Sequence, residues 1–159
     1  MEKTLIIGYG NPDRQDDGVA WHVLQAIAAS FGFSPDANKD TDLIQINEDL
    51  DLMYLLQLVP ELSERLSQYK KVCFVDAHTG DIPDEVRSIE IYPQFHRSPF
   101  THHLTPESLL EICLTIYKSN PKALLVSVRG YEFDFSNELS LLTAKLIPDA
   151  TKQILNWIK

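Results

Sequence analysis

The chain has 159 residues, of which 44% are hydrophobic and 23% charged, with a formal net charge of −9. That length suits one compact domain, 1–159, with its own apolar core, and the acidity argues against nucleic acid as a partner, which needs basic patches. No apolar run approaches the ~18 residues of a membrane span, and MEKTLIIGYG lacks the apolar core and cleavage site of a signal peptide, so a cytoplasmic protein away from the membrane is expected.

Thr4 to Tyr9 is a short apolar run that predicts a buried strand. It leads into GYGNPDRQDDGVA, a glycine-rich turn loaded with Asp13, Asp16 and Asp17. A dinucleotide fingerprint needs a third glycine where Asp13 stands, and a Walker loop needs Gly-Lys-Ser/Thr. Carboxylates at the helix entrance would also repel a phosphate. Capping the helix accounts for one of Asp16 and Asp17 and leaves the second over. From Asp17 to Phe31, Val19, Val23, Leu24 and Ile27 form a helical stripe. Gly32 to Asp42 reads as a surface loop and Asp42 to Asn47 as a second strand. Asp51 to Tyr69 carries Leu52, Leu55, Leu56, Val59 and Leu62, a stripe that predicts a helix kinked or divided at Pro60.

Lys71 to Asp76 predicts a third, buried strand. Asp76 ends an apolar run, where aspartate is disfavoured without a role; the structural alternative is a turn made by bonding the backbone ahead. His78 reads as an exposed loop histidine. Glu85 to Tyr92 mixes apolar and charged residues, which suits an edge strand in a hairpin with the Val72 strand through Gly80 to Pro83. Three histidines follow, His96, His102 and His103. Thr101 or Thr105 is placed to cap a helix from Thr105 to Lys118, with Pro106 in its first turn. Ala123 to Val128 predicts a strongly buried strand, and Glu138 to Ile158 a closing helix interrupted near Pro148. Cys73 and Cys113 each lie in an apolar segment and read as buried, reduced thiols.

Strands alternating with helices predict a three-layer α/β fold: a twisted, mostly parallel sheet of about five strands, one antiparallel edge strand, and helices on both faces. Sites in such sheets form at the carboxyl ends of strands. There Asp17, Asp76 and His102 or His103 come from three different loops. Two carboxylates and an imidazole suit a divalent metal of the Zn, Ni, Cd or Fe group, and three protein ligands leave coordination positions open. Metal-free acid–base chemistry by an aspartate pair ranks lower, because a histidine accompanies the carboxylates. Neither Gly-x-Ser-x-Gly nor His-Glu-x-x-His occurs, and neither cysteine lies in a loop, which argues against a covalent mechanism and a zinc-protease helix.

GYGNPDRQDDGVAWHVLQAI resembles the opening motif of the NiFe-hydrogenase maturation endopeptidases: Gly-x-Gly-Asn, four variable residues, Asp, Asp/Glu and Gly before a helix. The matching residues are Gly8, Gly10, Asn11, Asp16, Asp17 and Gly18. VCFVDAHTG, FTHHLTPESLL and, more weakly, RGYEFDFSNELS resemble further family segments in the same order, so the resemblance covers most of the chain. It implies a twisted, mostly parallel sheet between helices. It also implies an endopeptidase that removes the C-terminal tail of a hydrogenase large-subunit precursor after nickel insertion, recognising the nickel through two carboxylates and a histidine. Carried over, Asp17 and Asp76 are the catalytic and metal-contacting acids. His102 is the favoured histidine, because Leu109 and Leu110 then fall where the family's helix leucines lie; His103 is the alternative. Gly10, Asn11, Asp16 and Gly80 are implied as substrate-binding. Nickel is implied to come with the substrate, with no resident cofactor, and the protein to act as a monomer. Two departures stand out: Asp17 occupies a position where some members have Glu, and Tyr131-Glu132-Phe133 one where members often have a glutamine and a proline. Alternatives from other classes are a non-cleaving nickel-sensing chaperone of the precursor and a small-ligand or nucleotide-binding domain.

Overall fold

The computed structural model of the protein describes residues 3–33, 43–95 and 103–159. Along the first strand, β1 (Thr4–Tyr9), side chains alternate between two cores, as the two-residue period of a strand requires. Ile6 faces one apolar cluster, and Leu5 and Ile7 face the other. Burial on both faces is why the run is continuously apolar.

The remaining elements are α1 (Val19–Ser30), β2 (Leu43–Gln45), β3 (Leu50–Leu55), α2 (Leu62–Leu66), β4 (Lys71–His78), β5 (Val86–Ile91), α3 (Pro106–Tyr117), β6 (Lys122–Arg129), α4 (Leu141–Ala144) and α5 (Ile147–Ile158). The sheet order is β2-β3-β1-β4-β6-β5. The four inner strands are parallel, and β2 and β5 are antiparallel edges. Helices α1 and α5 cover one face, over Ile6, Leu52, Cys73, Val75 and Val126. Helices α2 and α3 cover the other, over Leu5, Ile7, Val72 and Phe74. The expected three-layer α/β architecture is therefore present. Among the described residues, no helix is long and apolar enough to cross a membrane.

Several expectations about individual elements are corrected. The stretch read as one long helix from Asp51 begins as strand β3, and only Leu62–Leu66 is helical. Strand β3 lies inside the sheet between β1 and β2, so apolar residues occupy consecutive positions and imitate a helical stripe. This raises the strand number to six. Strand β5 is an edge as expected, but it pairs with β6 and makes no hairpin with β4. The apolar β6 takes the inner position beside β4 and leaves the edge to the charged β5, an arrangement that keeps charge out of the core. The closing helix is two pieces: α4 begins only after Ser140, and Pro148 sits in the first turn of α5. Thr105 caps α3 as expected, its hydroxyl oxygen accepting the Ser108 N–H at 3.1 Å. Cys73 and Cys113 are free and fully buried, and burial pushes both thiols up from their ordinary pKa.

Candidate functional site at the β1 and β4 carboxyl ends

From β1 the sheet runs outward to β3 on one side and to β4 and β6 on the other. The strand order reverses there, and a crevice opens at the carboxyl ends. The loop leaving β1 fills one wall. Gly10 has φ of +139°, and a Cβ there would lie 2.1 Å from the Asp17 carbonyl oxygen, so the turn demands glycine. The Gly10 carbonyl accepts the Tyr54 hydroxyl at 2.7 Å. Asn11 Oδ1 accepts the Asp13 N–H at 3.0 Å, and the Asn11 N–H donates to Asp17 Oδ2 at 2.8 Å. Both residues thus build the loop that presents Asp17.

A 3₁₀ turn, Gln15–Gly18, follows. With three residues per turn, neighbouring side chains point about 120° apart, so two adjacent acids serve different ends. Asp17 turns to the crevice and Asp16 turns inward, fully buried. Asp16 accepts the N–H groups of Tyr131, Glu132 and Ser140, each at 2.8 Å, and the hydroxyls of Ser140 at 2.7 Å and Thr143 at 2.8 Å. Burial pushes its pKa up, but the bonds from Ser140, Glu132 and Tyr131 outweigh this and hold it below the usual range. The expectation that Asp16 binds substrate is corrected: its carboxylate is closed off and taken up by donors of this chain. The capping expectation is corrected too, since no side chain caps the 3₁₀ turn or α1.

A cleft of about 460 Å³ is lined by Asp17, Asp76 and His103 together with Tyr9, Gly10, Asn11, Arg14, Leu56 and Gln57. Asp76 lies near the end of β4, opposite Ser127 of β6. Its Oδ2 accepts the Tyr9 hydroxyl at 2.8 Å, and its Oδ1 is enclosed without a partner at hydrogen-bond geometry among the described residues. Burial drives its pKa up to about 6; the Tyr9 and Ser127 hydroxyls pull it down, and Glu107 and Asp81 push it up. Burial and the charge of Asp76 raise the Tyr9 phenol well above its ordinary value, so it stays a neutral donor. His103 reaches the cleft just before the Thr105 cap of α3. His96 and His102 lie outside the described residues. Among the described residues, no three of His, Cys, Asp and Glu are close enough together to hold an ion between them.

Two further expectations fall elsewhere. Gly80 does not line the cleft; with φ of +101° it packs where a Cβ would strike the Arg129 guanidinium. His78 is not an exposed loop residue: it is buried at the end of β4, with Nε2 2.9 Å from the Asp84 carbonyl and Nδ1 accepting the Gly80 N–H at 3.2 Å. Sequence reasoning missed Tyr9 and Arg14 as cleft residues. Strand parity was the available signal for Tyr9, because the register Gly8↔Val75 brings the next residues, Tyr9 and Asp76, side by side. Chemically, the cleft offers two anchored carboxylates for a cation, one of them basic enough to accept a proton from water near neutral pH.

The fold is that of solved hydrogenase maturation proteases. The hydrogenase maturating endopeptidase HybD from E. coli superposes with a TM-score of 0.71 at 15% identity, covering 98% of this chain and 91% of that one. The NiFe hydrogenase maturation protease HycI from Thermococcus kodakarensis KOD1 gives 0.68 at 16%, covering 99% and 92%. The hydrogenase 2 maturation peptidase from a Thaumarchaeota archaeon gives 0.64 at 16%, covering 99% and 98%. No protein-family model and no curated protein matches the sequence.

Proposed function

We propose that this protein is a peptidase of hydrogenase maturation, an endopeptidase that removes the C-terminal tail of a NiFe-hydrogenase large-subunit precursor once nickel has been inserted. One observation carries the reading: Asp17 and Asp76, from elements far apart in sequence, line a single cleft at the strand-order reversal of this fold. Nickel enters as part of the substrate. Asp17, Asp76 and one histidine of the His102–His103 pair take its open coordination positions, so docking itself tests whether the precursor is loaded. Asp17 is the fixed anionic contact, its Oδ2 held by the Asn11 N–H. The cleft carboxylates supply the general base, which takes a proton from the attacking water and returns it to the leaving amine. The buried cysteines lie outside the cleft, which fits hydrolysis without a covalent intermediate. The reading carries with it a cytoplasmic monomer.

The test is the intact mass of a nickel-loaded precursor incubated with the protein. Loss of a C-terminal peptide that requires nickel, and that stops in Asp76→Asn and Asp17→Asn, is the expected result. Tight precursor binding with no mass change in the wild type would identify a non-cleaving chaperone instead.

A further inference from the structure

We infer that Tyr9 is a positioning residue for cation capture, its hydroxyl fixing the Asp76 carboxylate in the orientation in which it meets the cation. The inference rests on the proposed use of the cleft and adds to it a residue outside the expected ligand set. The parallel register of β1 and β4 places Tyr9 beside Asp76 on the face covered by α2 and α3. The Tyr9 ring packs against the apolar cluster of that face, so its hydroxyl is delivered by a fixed body. It donates to Asp76 Oδ2 at 2.8 Å. Two residues on, the Asn11 N–H donates to Asp17 Oδ2 at 2.8 Å. The last residue of β1 and the loop that leaves it therefore each hold one oxygen of a cleft carboxylate.

A carboxylate's terminal torsion is broad and soft, so without a donor it samples many orientations. Donors behind metal-contacting groups fix those orientations, and losing one typically costs 10–100-fold in affinity. Tyr9→Phe removes only the hydroxyl and leaves the packed ring, which makes it a clean perturbation.

Cadmium alone is the probe, titrated calorimetrically at pH 8, where Asp76 is ionised and orientation rather than protonation is read. Tyr9→Phe is expected to weaken cadmium binding by roughly 10–100-fold. Its metal-free melting temperature should stay within a few degrees of wild type, and the ¹¹³Cd resonance of the bound ion should move. In an Asp76→Asn background, Tyr9→Phe should cause no further loss. Wild-type affinity in Tyr9→Phe, or an equal loss with and without Asp76, overturns the inference and leaves the cleft reading intact. Wild-type protein that takes up no cadmium, or Asp76→Asn that binds as well as wild type, overturns both.

Discussion

Replacing Asp16 with alanine separates the inward acid from its cleft-facing neighbour. The substitution removes one carboxylate that accepts three backbone N–H groups and two hydroxyls at 2.7–2.8 Å. Bonds to a charged acceptor are worth about 1.5–3 kcal/mol each, but they are not additive, and water entering the void recovers part of the loss. A cost of about 3–5 kcal/mol is expected, which belongs to the severe end of single substitutions. For a chain of this size that lowers the melting temperature by roughly 6–20 °C. Asp16→Asn should cost less, because its amide still offers one acceptor oxygen while its NH₂ confronts at least one of the donors. Urea unfolding followed by Trp21 and Trp157 fluorescence measures both variants. The pH dependence adds a second check. Asp16 has a depressed folded pKa, so its stabilisation is present above about pH 3.9 and is lost as pH falls through the folded value. That acid-limb loss should disappear in the alanine variant. A loss below about 1 kcal/mol in Asp16→Ala, with an unchanged acid limb, would refute the view that this carboxylate organises the loop.

Three further outcomes follow from other parts of the structure. Asp76 has a raised folded pKa near 6, so the native state holds a proton the unfolded chain releases near pH 4. Stability should therefore fall as pH rises from about 4 to about 6, and Asp76→Asn should flatten that fall and gain up to about 3 kcal/mol at pH 7 in a denaturant titration. Gly10→Ala drives a Cβ against the Asp17 carbonyl oxygen at a positive φ, and should cost about 1–3 kcal/mol together with cadmium binding in the cleft. Cys73 and Cys113 should resist a thiol reagent in the native protein and both react once urea unfolds it, as monitored by mass.

Much of the site can be located from the sequence because the rule that finds it is topological. The carboxyl ends of apolar runs point to the loops after Tyr9 and after Asp76, and the fold brings those loops together. The rest was hidden for identifiable reasons. Asp16 and Asp17 are the same residue type at adjacent positions, and only the 3₁₀ turn sends one inward and the other to the cleft. Strand β3 resembles a helix in sequence because its apolar residues fall at consecutive positions, and because Asp51, unexpected inside a sheet, is buried there against Lys3 at 3.1 Å and the Tyr69 hydroxyl at 2.6 Å. Both partners are distant in sequence, so nothing local marks Asp51 as a strand residue. The inner place of β6 depends on strand order, which the lengths of connections leave open.

The most direct test of the cleft's role is a crystal soaked with cadmium or nickel and examined by anomalous scattering. A strong peak between Asp17 and Asp76, completed by His103 or His102, is the expected result, and it would also name the histidine. An empty cleft, with the carboxylates still bonded to Asn11 and Tyr9 and the ions bound elsewhere on this acidic surface, would contradict it.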